Sequence, residues 1–121
     1  MEAYIEVLKS KLYRASVTSG SLEYEGSIGI SRELCEAVGL VQYEKVLCAN
    51  INNGERWETY VIVEDEPGQI ILNGAAARKG VVGDPLIIMS FAEVEISKAG
   101  EFKPQVVHLD KCNRIVRNGG K

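Results

Sequence analysis

The chain has 121 residues, 45 % apolar and 26 % charged, with 14 Lys and Arg against 17 Asp and Glu for a net charge of −3. That is the composition of one soluble globular domain with a modest core, and its mild acidity excludes a nucleic-acid or anionic-membrane partner as the default. No run approaches the roughly 20 apolar residues of a membrane span, and Met1-Glu2-Ala3-Tyr4 opens no basic-then-apolar leader, so the cytoplasm is the expected compartment. Three widely spaced cysteines, Cys35, Cys48 and Cys112, form no C-x-x-C pair and suggest neither disulfide framework nor zinc site. A single histidine, His108, excludes a histidine-based metal cluster.

In chain order, Tyr13, Ala15 and Val17 alternate with polar residues, the period of a half-buried strand over residues 13–18. A turn at Ser19-Gly20 leads to Leu22-Glu23-Tyr24, and Ile28-Gly29-Ile30 follows Gly26-Ser27. Ser31 is placed to cap a helix over residues 32–38 that Gly39 ends. Residues 45–51 and 59–63 read as strands around the Asn53-Gly54 turn. Residues 70–72 form a short strand, and Asn73-Gly74 turns into one helical turn over residues 75–79. Residues 86–96 suit a central strand, residues 105–109 are the last strand, and the tail from Asn113 reads as frayed. No repeat or linker divides the chain. Many short strands with few helices favour a small closed barrel, since closure removes exposed edges.

Four segments have chemical potential. In Tyr24-Glu25-Gly26-Ser27, a Gly-Ser bond in a tight turn admits strained geometry, and a serine hydroxyl could attack the preceding carbonyl if a donor stabilised the oxyanion. A plain hairpin turn with a solvent-facing serine is the simpler account, since Gly-Ser is common in turns. In Lys11-Leu12-Tyr13-Arg14, Lys11 and Tyr13 share one strand face and Arg14 the other; two cations suit a dianion, or simply a solvated strand end. Arg56 suits a bidentate carboxylate grip and Tyr60 proton transfer, though on one regular strand their backbones lie roughly 13 Å apart. Trp57 and Thr59 would face the other way, and packing plus a surface charge is the simpler account. In Asn73-Gly74-Ala75-Ala76-Ala77, small residues would let a ligand reach backbone N–H groups, or merely make a turn.

Together and in this order, these segments resemble the bacterial pyruvoyl-dependent aspartate 1-decarboxylase family. The likeness rests on Lys11-Leu12-Tyr13-Arg14, Val17-Thr18, Leu22-Glu23-Tyr24-Glu25-Gly26-Ser27, Asn53-Gly54-Glu55-Arg56, Thr59-Tyr60, Asn73-Gly74-Ala75-Ala76-Ala77 and Val82-Gly83-Asp84, and extends to Ser90-Phe91. The resemblance implies a mostly β protein, a six-stranded double-psi β-barrel with short helices, in one domain over residues 1–121. It implies a homotetramer with active sites between subunits, acting on the small molecule L-aspartate to give β-alanine and CO2 for pantothenate and coenzyme A supply, with no nucleic acid and no membrane as partner.

It also implies a proenzyme. Ser27 Oγ attacks the Gly26 carbonyl, with Thr59 stabilising the oxyanion, and β-elimination then splits the chain into residues 1–26 and 27–121. Hydrolysis with loss of ammonia leaves a covalent pyruvoyl group derived from Ser27, the cofactor in place of any metal or pyridoxal phosphate. Lys11 and Arg56 are assigned to the two substrate carboxylates, with the firmer grip on the β-carboxylate, because strong pairing to the departing group would stabilise the ground state. Tyr60 returns a proton to Cα; Asn73, Gly74, Ala75 and Ala76 position substrate or pyruvoyl group; Tyr24 and Tyr13 line the cavity. Tyr13 departs from the family, which often has histidine there, and this leaves open whether maturation uses a helper protein. Two other readings stay open: a pyruvoyl decarboxylase of another small acidic amino acid such as glutamate, which size alone disfavours by only about 1–3 kcal/mol, and a non-catalytic β-barrel binding module.

Overall fold

The computed structural model describes residues 2–23 and 25–118. They are mostly β. The strands are β1 (Tyr4–Ser16), β2 (Ser19–Ser21), β3 (Ser27–Ser31), β4 (Lys45–Asn50), β5 (Arg56–Glu64), β6 (Ile70–Asn73), β7 (Pro85–Glu95), β8 (Gln105–Leu109) and β9 (Ile115–Asn118). Two short α-helices, α1 (Arg32–Val38) and α2 (Ile96–Ala99), and a 3-10 helix (Gly74–Lys79) complete the chain. The strands form one ladder in the order β2-β6-β3-β5-β4-β7-β1-β8-β9. This nine-stranded ladder ends on β2 and β9 and is not closed by hydrogen bonds, unlike the six-stranded closed barrel expected.

The core is one cluster that includes Leu12, Ile28, Ile30, Leu34, Val61, Leu72, Leu86 and Ile88. Strand β3 is buried along its whole length, between β5 in parallel and β6 antiparallel to it. Its sequence explains how: Ile28 and Ile30 fill the core, and the alternate residues Ser27, Gly29 and Ser31 are small enough for the opposite face to be covered too. At Gly29 a Cβ would come within 2.7 Å of Glu64 Oε2, so glycine is what lets that side chain lie across β3.

Several expectations change. The alternation over residues 13–18 is interrupted by a register shift between Tyr13 and Ala15, where Arg14 takes φ 69°. This bulge switches parity, so Leu12 and Ala15 both reach the core and Tyr13 does not share the face of Ala15. Ser19-Gly20 is strand, paired in parallel with β6, and the turn falls at Leu22 and Glu23. Ser31 stands at the N-cap position of α1 without capping a backbone N–H; its hydroxyl donates to Glu33 Oε1 at 3.2 Å. Gly39 ends α1 as expected, in the left-handed conformation with φ 76°. Most clearly, the tail is not frayed from Asn113. That side chain is 3 % exposed; its Nδ2 donates to the carbonyls of Ser16 and Gly68, and its Oδ1 accepts from Ser16 N–H. It anchors β9, which pairs antiparallel with β8.

Candidate active site

Ser27 begins β3 and Asn73 ends β6, and antiparallel pairing sets the two opposite each other. Both are shielded, at 4 % and 9 % exposure. Buried polar groups need partners, and these two supply one: Asn73 Nδ2 donates to Ser27 Oγ at 3.1 Å. The serine hydroxyl in turn donates to the carbonyl of Glu25 at 3.3 Å, folding it back over the segment that carries Gly26. Directly after Asn73 the chain needs a left-handed residue to enter the 3-10 helix, and Gly74 provides it with φ 68°. β3 and β5 run parallel with Ile28 level with Val61. Ser27 and Tyr60 each stand one residue before that pair, and both line one cleft.

These residues bound a cleft of about 600 Å³ whose lining includes Ser21, Glu25, Ser27, Tyr60, Glu64 and Asn73. Tyr60, Ile62 and Glu64 reach it from alternate positions of β5, while Trp57, Val61 and Val63 pack toward the core. Sequence reasoning missed Glu25 and Glu64. Glu64 was recoverable, because it shares parity with Tyr60. Among the described residues, no cation lines this cleft.

The other expected site residues stand elsewhere. Thr59 is on the inner parity of β5 and does not line the cleft. Arg56 is exposed at the start of β5, opposite Ala49. Gly74 and Ala76 are buried and Ala75 exposed in the 3-10 helix, outside the cleft lining. Lys11 lies on β1, three strands from β5 in the ladder, about 14 Å along the sheet. There Lys11 Nζ lies 5.5 Å and Arg14 Cζ 5.8 Å from the centre of the Tyr13 ring, which also contacts the His108 ring at 5.0 Å. Lys11 and Arg14 thus flank one aromatic ring, contrary to the opposite faces expected, because the bulge redirects Arg14. Tyr24 lies outside the described residues, and Tyr13 belongs to the β1 cluster rather than to the Ser27 cleft.

The thiols offer no rival nucleophile in the core: burial pushes Cys35 up to about 11 and Cys48 up to about 12, so both stay protonated near neutrality. Among the described residues, no group of three His, Cys, Asp or Glu is placed to hold a metal ion. No helix among them is long and apolar enough to cross a membrane.

Fold and cleft together define a small, mostly β protein with a shielded, amide-bonded serine at the head of its most buried strand. The family model described as aspartate decarboxylase matches residues 3–116. The chain is 52 % identical to the aspartate 1-decarboxylase of Campylobacter jejuni, over 93 % of this chain and 90 % of that one. It is similarly 52 % identical to that of Chlorobium phaeovibrioides (93 % and 89 % covered) and 53 % identical to that of Prosthecochloris aestuarii (93 % and 88 %). The chain belongs to the aspartate decarboxylase family.

Proposed function

We propose that this chain is the proenzyme of an aspartate 1-decarboxylase that cleaves itself between Gly26 and Ser27 and then converts L-aspartate to β-alanine and CO2. The observation that carries the reading is the Asn73–Ser27 hydrogen bond, with Ser27 Oγ folded back toward Glu25. Attack of Oγ on the Gly26 carbonyl carbon breaks the Gly26–Ser27 C–N bond and forms an ester. Loss of the Ser27 α-proton then breaks the Cβ–Oγ bond, releasing residues 1–26 with Oγ in the Gly26 carboxylate. Water replaces the nitrogen, which leaves as ammonia. Thr59, beside Tyr60 on β5, is the oxyanion donor in this scheme.

The position fits the pyruvoyl group. An asparagine amide within hydrogen-bond reach of residue 27 suits a keto oxygen there as well as it suits a hydroxyl. When present, the group supplies an electrophilic ketone for the substrate amine and a sink for the electron pair left by CO2. The chain's own residues do the rest. Asn73 orients residue 27; Gly74, Ala75 and Ala76 give a close approach of backbone; Tyr60 donates its hydroxyl proton to the substrate Cα. Lys11 and Arg56 hold the two carboxylates, the firmer grip falling on the β-carboxylate.

Because no cation is among the described residues that line the cleft, the complete site is read as shared with a neighbouring copy, and a homotetramer with sites between subunits is the assembly proposed. The same reading takes residues 1–121 as one domain, places the protein in the cytoplasm and closes the inner strands as a double-psi barrel. Supporting that closure, residues 17 and 18 alone join β1, seventh in the ladder, to β2 at its end. Intact mass under denaturing conditions tests the proposal. Fragments 1–26 and 27–121, the second lighter by one ammonia than simple hydrolysis gives, support it; one uncut chain after prolonged warming, with or without cell extract, sinks it.

A further inference from the structure

Residues 41–44 form a turn closed by Glu44 N–H donating to Val41 O at 3.1 Å, and Tyr43 occupies its third position with φ 71°. Positive φ there is the demand of a type II turn, which glycine or asparagine meets most readily. A bulky aromatic residue is strained in that conformation. A frame of hydrogen bonds to β5 holds it in place. Tyr43 N–H donates to Val61 O at 2.8 Å, Val61 N–H to Glu44 O at 2.9 Å, and Val63 N–H to Gln42 Oε1 at 2.8 Å. Core burial does not account for the side chain, which is 69 % exposed. Its ring contact is with Tyr60, at 6.1 Å between centroids and 53° between planes.

We propose that Tyr43 is a positioning residue for the reaction, its ring bracing the Tyr60 ring so that the Tyr60 hydroxyl stays in the Ser27 cleft. The inference rests on the reading of Tyr60 as the proton donor. Tyr60 sits on the outward parity of β5, where a lone tyrosine can swing between the cleft and bulk water. A tilted ring within the usual 4.5–7 Å contact range removes the solvent-directed option, biasing the orientation by about 2- to 10-fold. The strained turn fixes where the bracing ring starts, and β5 supplies both the frame and the residue braced. Proton return to Cα follows CO2 loss, so the bias acts on kcat and leaves substrate capture alone.

The test compares Tyr43→Asn and Tyr43→Phe with Tyr60→Phe, in fully processed enzyme acting on L-aspartate. Asparagine tolerates the left-handed backbone, so Tyr43→Asn removes the ring without breaking the turn. It is expected to lower kcat by about 2- to 10-fold with kcat/KM little changed, so that KM falls with kcat, and Tm equal or higher, while Tyr43→Phe keeps kcat. Unchanged kcat in Tyr43→Asn, alongside a fall in Tyr60→Phe, overturns the bracing role and leaves Tyr60 as donor. A fall in Tyr43→Asn that appears only as the assembly dissociates, followed by mass photometry, overturns it in favour of a subunit contact. Unchanged kcat in Tyr60→Phe removes the donor reading itself, and the inference with it.

Discussion

The Ser27 cleft and the Lys11 cluster divide the chemistry between two parts of one sheet. The cleft, where β3, β5 and β6 meet, holds three serine hydroxyls, an amide, a phenol and two carboxylates. The cluster on β1 and β8 gathers Lys11, Arg14 and His108 around Tyr13. A substrate with two carboxylates and an amine needs both kinds of surface at once. The residues that would make and use the reactive centre lie in one place, and a cation to hold the substrate lies in another. That division is the physical reason to propose a site shared by two copies, since the described residues lining the cleft include no cation for the substrate carboxylates.

Removing the hydroxyl tests the first region most severely. Ser27→Ala should stay a single chain and release no CO2 from aspartate, read by intact mass and by gas evolution. Next, Tyr60→Phe should process normally yet lose about 100- to 10,000-fold in kcat, the range for a lost general acid; normal turnover would take Tyr60 out of the reaction. Lys11→Met should lower kcat/KM by about 10- to 100-fold, the worth of one charge-assisted hydrogen bond. Coexpressing Lys11→Met chains with Ser27→Ala chains sharpens the comparison further. Mixed assemblies should regain activity if Lys11 serves a neighbour's residue 27, whereas a self-contained site gives none.

The smallest effect concerns Asp84. Its carboxyl lies below the ordinary range because the Asn50 side-chain amide, then the Val81 N–H, donate to it, with Asn52 adding a further bond. A depressed folded value means stability that is present above the unfolded value near 3.9 and is lost as pH falls through the folded one. Asp84→Asn should therefore lower stability at neutral pH, by no more than about 1 kcal/mol for a group still in contact with solvent. Its Tm should also fall less than that of the parent between about pH 4 and pH 2; parallel Tm curves would deny the linkage.

Much of this was legible before any coordinates. Helix α1 followed from Ser31 and Gly39, and the strands β4 to β8 from strand-forming runs between turn residues, all of which act within a few residues. Ser27, Tyr60 and Asn73 were also named from sequence, and the fold brings all three to one cleft. The misses have long-range causes. The bulge at Arg14 depends on β1 pairing with both β7 and β8, and the order of the tail depends on Asn113 bonding carbonyls 97 and 45 positions earlier in the chain. Glu64 was legible as far as its parity with Tyr60, while the room for its side chain across β3 depends on the glycine at position 29.

By itself the sequence determined a mostly β chain, the family it belongs to, and the residue types available for the reaction, because periodicity, turn chemistry and motif order are properties of neighbours along the chain. Tertiary structure alone decided which of those residues meet. The antiparallel pairing of β3 with β6 joins Ser27 to Asn73, the parallel pairing with β5 adds Tyr60, and the path of the sheet carries Lys11 away from them. Strand register fixes such meetings to within one residue, and a shift of one would turn every side chain to the opposite face.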